Sequence, residues 1–266
     1  MPDIKIQCPA KINLTLKVMG KRPDGFHNIE SIMQTISLYD YLTIDVQASD
    51  VDKISLDGNS KDIPYDGKNL VYKAALLFLK TLNSSNKYNI GIYIEKNIPI
   101  AAGLAGGSTD AAGTLYGLNK LLNEPLTNEQ LHKLCAQLGS DLNVCLEGGT
   151  LMAKGRGEII EPVEYKEQTV SLIKPNHLGI SAKEAYTKFS EKLALGWAGR
   201  SDFVNDLEWA IIEDYPQLQT IKKIYPKSVM SGSGSTYYVL DDTFEHLNGY
   251  QIFNNLKTIS HGVGEF

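Results

Sequence analysis

Residues 99–112 read Pro-Ile-Ala-Ala-Gly-Leu-Ala-Gly-Gly-Ser-Thr-Asp-Ala-Ala. Gly103, Gly106 and Gly107 stand just before Ala111, Ala112, Leu115, Leu118 and Leu122, which recur at helical spacing. The chain must therefore fold so that a glycine-rich turn delivers a helix N-terminus. Glycine lets the backbone approach a ligand closely and adopt positive φ. The unpaired N–H groups and the dipole of a first helical turn favour an anion. Ser108 and Thr109 add hydroxyl donors, and Ser108 is also a candidate metal ligand. Two familiar phosphate loops are excluded. No lysine follows Gly107 as in a P-loop, and residues 103–107 lack the Gly-x-Gly-x-x-Gly spacing of a dinucleotide site. Taken alone, the segment also reads as a helix start whose small residues allow close packing.

With 266 residues, the chain can build one large domain or two modest ones. A net charge of −5 disfavours nucleic acid or an anionic membrane as partner, so a phosphorylated ligand must be met by a local positive site. Cys8, Cys135 and Cys145 are scattered and odd in number, which suits reduced thiols in a cytoplasmic protein rather than a disulfide framework or zinc site. The first residues do not read as a signal peptide, and no apolar run reaches membrane-spanning length.

Ile12, Leu14, Leu16 and Val18 alternate with polar residues, which predicts a half-buried strand with Lys11 and Asn13 on its polar face. Strands are also predicted over 42–46, 90–94, 170–174 and 236–240. Helices are predicted over 69–82, 127–138 and near 182–193, with further helical text to about residue 225. Thr127 and Gln130 form a capping box, and Gly139 ends that helix, leaving Asp141 just beyond it. The strands and helices do not alternate as regular βαβ units, so the class is α+β. On local sequence alone, Lys11 is a solvated strand lysine, Asp141 a loop carboxylate and Asn69 a helix N-cap.

Three stretches matter together: Pro9-Ala-Lys-Ile-Asn-Leu14, Pro99 to Ala112, and Ser231-Gly-Ser-Gly-Ser235. They resemble the three motifs of the GHMP kinase superfamily. Lys21-Arg-Pro-Asp-Gly-Phe-His27 and Gly139-Ser-Asp141 are similar to the branch that phosphorylates a cytidyl diphospho-methylerythritol in the non-mevalonate isoprenoid pathway. The motifs span residues 9–235, nearly the whole chain. The resemblance implies a GHMP kinase fold. A ribosomal-protein-S5-domain-2-like N-terminal domain would cover residues 1–162, a ferredoxin-like C-terminal domain residues 163–266, and ATP and alcohol would meet between them.

The resemblance also implies roles. Asp141 would accept the proton of the substrate 2-hydroxyl, and Lys11 would stabilise developing negative charge. ATP would be bound by Asn69, Lys96, Pro99, Ile100, Ala101, Ala102, Gly103, Leu104, Ala105, Gly106, Gly107, Ser108 and Thr109, with Mg²⁺ on Ser108. The alcohol would be bound by Lys11, Asn13, Phe26, His27, Asp141 and Tyr186. Phe26 and Tyr186 would sandwich the cytosine while His27 reads its edge, because stacking alone accepts any base. The chain departs from the family pattern in two places. Ala105, Thr109 and Asp110 replace a glycine, a serine and an asparagine, and Ala105 is expected to disfavour positive φ there. Leu142-Asn143-Val144 replaces Val-Pro-Phe, which is expected to loosen the loop that aims Asp141. A GHMP kinase for another alcohol, such as mevalonate or homoserine, and a non-catalytic nucleotide-binding protein are the alternatives. A monomer or weak homodimer is expected.

Overall fold

A computed structural model describes residues 3–266. Its first part runs β1 (Ile4–Asn13), β2 (Lys17–Lys21), β3 (His27–Ser49), β4 (Lys53–Gly58), α1 (Leu70–Leu82), β5 (Lys87–Glu95), α2 (Gly106–Leu121), α3 (Asn128–Leu138), α4 (Leu142–Glu147), β6 (Thr150–Lys154) and β7 (Ile159–Pro162). The second part runs β8 (Thr169–Pro175), α5 (Ala182–Ala194), α6 (Asp206–Ile211), α7 (Pro216–Ile224), β9 (Val229–Met230), β10 (Tyr237–Leu240), β11 (Tyr250–Lys257) and β12 (Gly264–Glu265).

β3 organises the first sheet. Its 23 residues pair in turn with β2, β6, β1 and β5, all antiparallel. β4 lies parallel beside β5. One face of this sheet is covered by α1 to α4. Val71, Ala74, Ala75 and Phe78 of α1 recur every three or four residues and are buried, as are Ala111, Ala112, Leu115 and Leu118 of α2. α2 approaches the sheet closely because Gly113 and Gly117 face it. A Cβ at Gly113 would overlap Cys8 Sγ, and one at Gly117 would stand 2.7 Å from Ile44 Cδ1. That approach sets the helix N-terminus, and with it the glycine loop, against β1.

The second sheet has the order β11-β8-β10-β9 and is antiparallel throughout. Ile173 and Tyr237 from its strands pack with Phe189, Trp209, Leu218 and Ile221 from α5, α6 and α7. β12 then leaves this unit and pairs with β1, Ile6 opposite Glu265. The end of the chain thus closes an edge of the first sheet, which a simple split at residues 162/163 does not anticipate.

The alternation at Ile12 to Val18 does not form one strand. The chain breaks between β1 and β2, where Leu14 N donates to Ile32 O (2.7 Å) and Leu16 N donates to Val204 O (3.1 Å). The second bond crosses to the other unit, so residues 14–16 act as a bridge.

Gly113→Ala tests the close approach of α2. Overpacking costs about 1–3 kcal/mol, against the roughly 1 kcal/mol that alanine gains over glycine in a helix. The variant is expected to melt below wild type in a thermal unfolding scan.

Candidate active site

The three glycine- and lysine-bearing stretches converge on one carbonyl. Gly103 O accepts from Lys11 Nζ (3.1 Å) on β1 and from Ser231 Oγ (3.0 Å) on the turn after β9. Ser231 Oγ also accepts from Asn13 N (3.3 Å). Gly103 has φ +75°, and a Cβ there would overlap the Ser231 carbonyl oxygen. Only glycine permits this meeting of loops.

Lys11 and Asn13 do share a face of β1, but that face is a cleft wall and both side chains are buried. Lys11 Nζ donates to Asn13 Oδ1 (2.7 Å), and Asn13 Nδ2 donates to Ser31 Oγ (2.8 Å). The amide is thus held at both ends and aims the ammonium. Asp141 Oδ2 lies 3.5 Å from Lys11 Nζ, with Asp141 29% exposed against 3% for the lysine. Asp141 stands at the N-cap of α4, whose residues 142–146 are buried. The Leu142-Asn143-Val144 stretch is therefore helical rather than loose, and Asn143 Nδ2 donates to Glu158 O (2.6 Å).

These groups line a cleft of about 1000 Å³ that also contains Phe26, His27 and Tyr186. The aromatic arrangement differs from a simple Phe26–Tyr186 sandwich. Tyr186 stacks on the His27 ring (5.0 Å between centroids, 15° between planes). Phe26 instead lies under the guanidinium of Arg156 (5.0 Å). His27 Nε2 is 3.0 Å from Ser190 Oγ. Burial, helped by the charge of Lys21, pushes the His27 pKa down, which favours a neutral imidazole. Burial, with the charge of Asp141, pushes the Tyr186 phenol up and keeps it protonated.

A second recess of about 300 Å³ is lined by Asn69, Lys96, Pro99 to Gly103, Ala105 to Ser108 and Asp110, together with Ile63 and Leu70. Ala101, Gly103 and Ala105 line both cavities, so the two meet across the glycine loop. Asn69 caps α1: its Oδ1 accepts from Val71 N (2.9 Å), and its Nδ2 donates to Pro64 O (2.7 Å). Leu104 and Thr109 do not line the recess. Leu104 packs with Ala10, Ile12 and Ala102, and Thr109 is buried because its place on the first turn of α2 faces inward.

A family model described as the GHMP kinases N terminal domain matches residues 69–149. The 4-diphosphocytidyl-2-C-methyl-D-erythritol kinase of Clostridium tetani is 38% identical over 257 residues, covering 88% of this chain and 90% of the relative. That of Bacillus mycoides is 39% identical over 272 residues, covering 95% and 92%. The chain belongs to the 4-diphosphocytidyl-2-C-methyl-D-erythritol kinase family. It is a small-molecule kinase of the GHMP type. Its fold matches the crystal structure of a 4-(cytidine 5'-diphospho)-2C-methyl-D-erythritol kinase with TM-score 0.72 at 26% identity, covering 96% of this chain and 99% of that one. A homoserine kinase from Cytophaga hutchinsonii matches with TM-score 0.72 at 16% identity, covering 100% and 98%, which is a likeness of fold alone.

The recess has two features that its sequence does not show. Ala105 does adopt positive φ (+60°, ψ 25°), directly before α2. A left-handed alanine costs about 1–2 kcal/mol, and the strain sits where the loop turns into the helix. Lys96 lines the recess and also belongs to a buried ion cluster. Its Nζ is held by Asp40 and by Asp110 Oδ2 (2.8 Å), and all three side chains are buried. Asp40 Oδ1 in turn accepts from Asn97 N (2.6 Å) and Ile98 N (2.8 Å). Burial works against the Lys96 charge, but the Asp110 and Asp40 carboxylates hold its pKa above the usual range. Burial raises the Asp110 pKa, and the Asp40 charge adds to the rise. Local sequence offers no sign of this cluster. Its members lie on β3, after β5 and on α2, and only the pairing of β3 with β5 brings Asp40 near Lys96.

Ala105→Gly is expected to raise stability by about 1 kcal/mol by relieving the left-handed strain, read as a higher midpoint in urea. Lys96→Met leaves two buried carboxylates without a cation and is expected to cost about 3–5 kcal/mol. Adding Asp110→Asn should recover part of that loss in the same titration.

Proposed function

We propose that this chain transfers the γ-phosphoryl group of ATP to the 2-hydroxyl of 4-diphosphocytidyl-2-C-methyl-D-erythritol, with Asp141 accepting the hydroxyl proton and Lys11 stabilising the charge that develops. The observation that carries this reading is the Lys11–Asp141 pair, 3.5 Å apart, beside the loop where the two cavities meet. Similarity to the named relatives over nearly the whole chain supports the choice of alcohol.

Phosphoryl transfer needs positioning and charge neutralisation more than covalent chemistry. The recess supplies an alcove beside the N-terminus of α2, where backbone N–H groups favour the ATP phosphates. Lys11 is oriented by two neutral acceptors, Asn13 Oδ1 and Gly103 O, so its charge is available to the transferring group. Asp141 is partly exposed to the cleft and can reach a hydroxyl there. Tyr186 and His27 offer a stacked ring surface on the same cleft. With Nε2 beside Ser190 Oγ, a neutral His27 has Nδ1 left to meet the edge of a pyrimidine.

Among the described residues, no three His, Cys, Asp or Glu side chains converge to hold a metal ion. Mg²⁺ would therefore be carried chiefly by the ATP phosphates, with the Ser108 hydroxyl, which lines the recess, as a protein ligand. Bound there, it would neutralise phosphate charge.

Release of ADP with ATP, Mg²⁺ and the cytidyl diphospho-methylerythritol tests this reading. Asp141→Asn is expected to lower kcat by about 10²–10⁴-fold while the alcohol still binds. Wild type that turns over mevalonate or homoserine but not the cytidyl substrate would overturn the proposed specificity.

A further inference from the structure

Arg156 lies outside the motifs read from the sequence, yet its guanidinium lines the alcohol cleft. Its backbone is tightly defined. It sits between Gly155 (φ +69°) and Gly157 (φ +125°) on the turn joining β6 to β7. Arg156 N donates to Glu158 Oε2 (2.6 Å). A Cβ on Gly157 would stand 3.0 Å from the carbonyl oxygen of Ser140, the residue before Asp141. The turn is therefore packed against the loop that carries the proposed base. The side chain is equally placed. Nη2 donates to Ala136 O (2.9 Å) near the end of α3, Nε lies 3.8 Å from Glu158 Oε1, and the guanidinium covers the Phe26 ring at 5.0 Å. Of five N–H donors, one is committed to that carbonyl.

The position has a chemical meaning. The proposed substrate has a base at one end, a phosphoryl-accepting alcohol at the other and a diphosphate between. Arg156 touches Phe26 on one side and is packed, through Gly157, next to Asp141 on the other. Phe26, Asp141 and Arg156 line one cleft, so a molecule reaching from the aromatic wall to Asp141 lies in a cleft that carries this cation. A planar guanidinium makes paired hydrogen bonds to phosphate oxygens and also stacks on aromatic faces.

We propose that Arg156 binds the diphosphate joining the cytosine to the alcohol, and that its resting contact with Phe26 holds it ready for that task. This deepens the substrate reading above and rests on it. Arg156 is then a specificity-determining residue for the alcohol and has no part in binding ATP.

The test titrates cytidine and cytidine diphosphate into wild type, Arg156→Gln and Arg156→Lys, with the ATP site filled by a non-hydrolysable analogue. Arg156→Gln is expected to weaken cytidine diphosphate by more than tenfold and cytidine by less than twofold. The KM for ATP should stay unchanged. Arg156→Lys should recover part of the loss, since it restores a point charge without the planar fork. Equal weakening of both probes would reduce Arg156 to a support for Phe26 and overturn the proposal, as would equal affinity of wild type and Arg156→Gln for cytidine diphosphate. Wild type that binds no cytidine diphosphate overturns the substrate reading, and this proposal with it.

Discussion

The carbonyl oxygen of Gly103 is the point on which the site depends. It accepts one hydrogen bond from a lysine of the first sheet and one from a serine of the second unit. A carbonyl has two lone pairs, so this single atom orients the Lys11 ammonium and docks the turn at Ser231. The contact needs a residue with no Cβ and a left-handed φ. Asn13 reinforces it by offering its amide oxygen to Lys11 and its backbone N–H to Ser231. Once these bonds form, the ammonium, the carboxylate of Asp141 and the glycine loop have fixed relative positions. Little freedom then remains to be lost when the reactants arrive.

Two buried lysines flank the loop and are used in different ways. Lys96 lies between two buried carboxylates, so its charge is fully engaged and it joins β3, the end of β5 and α2. Removing such a partner is costly because the remaining charges stay out of water. Lys11 has neutral acceptors and one partly exposed carboxylate at 3.5 Å. That pair is looser, and its strength falls with solvent screening. The difference leaves the Lys11 ammonium beside a partly exposed carboxylate in the cleft, while Lys96 ties three elements together.

Local rules were legible wherever the interaction is local. Asn69 caps α1, Thr127 and Gln130 form their capping box, and the apolar stripes of α1, α2 and α3 are buried. The glycine loop could be singled out for the same reason, as it adjoins a helix end, whereas Asp141 reads locally as a loop carboxylate and is picked out by the family resemblance. The length of β3 was not legible, because it depends on four partner strands far apart in the chain. The polar face of β1 read as solvated, because alternation distinguishes two faces without saying what covers each. Arg156 was missed, although its flanking glycines are a visible signal of an unusual turn.

The sequence by itself determined the α+β class, the boundaries of α1, α3 and α5 to within about a residue, and the three motif stretches, since capping, periodicity and glycine's conformational freedom act within a few residues. Tertiary structure alone decided that Lys96 is locked between Asp40 and Asp110, that Tyr186 stacks on His27 while Phe26 meets Arg156, and that the last strand returns to the first sheet. Each of these depends on charge, ring or backbone partners many residues apart. Such partners meet only after the sheets form and the two units dock.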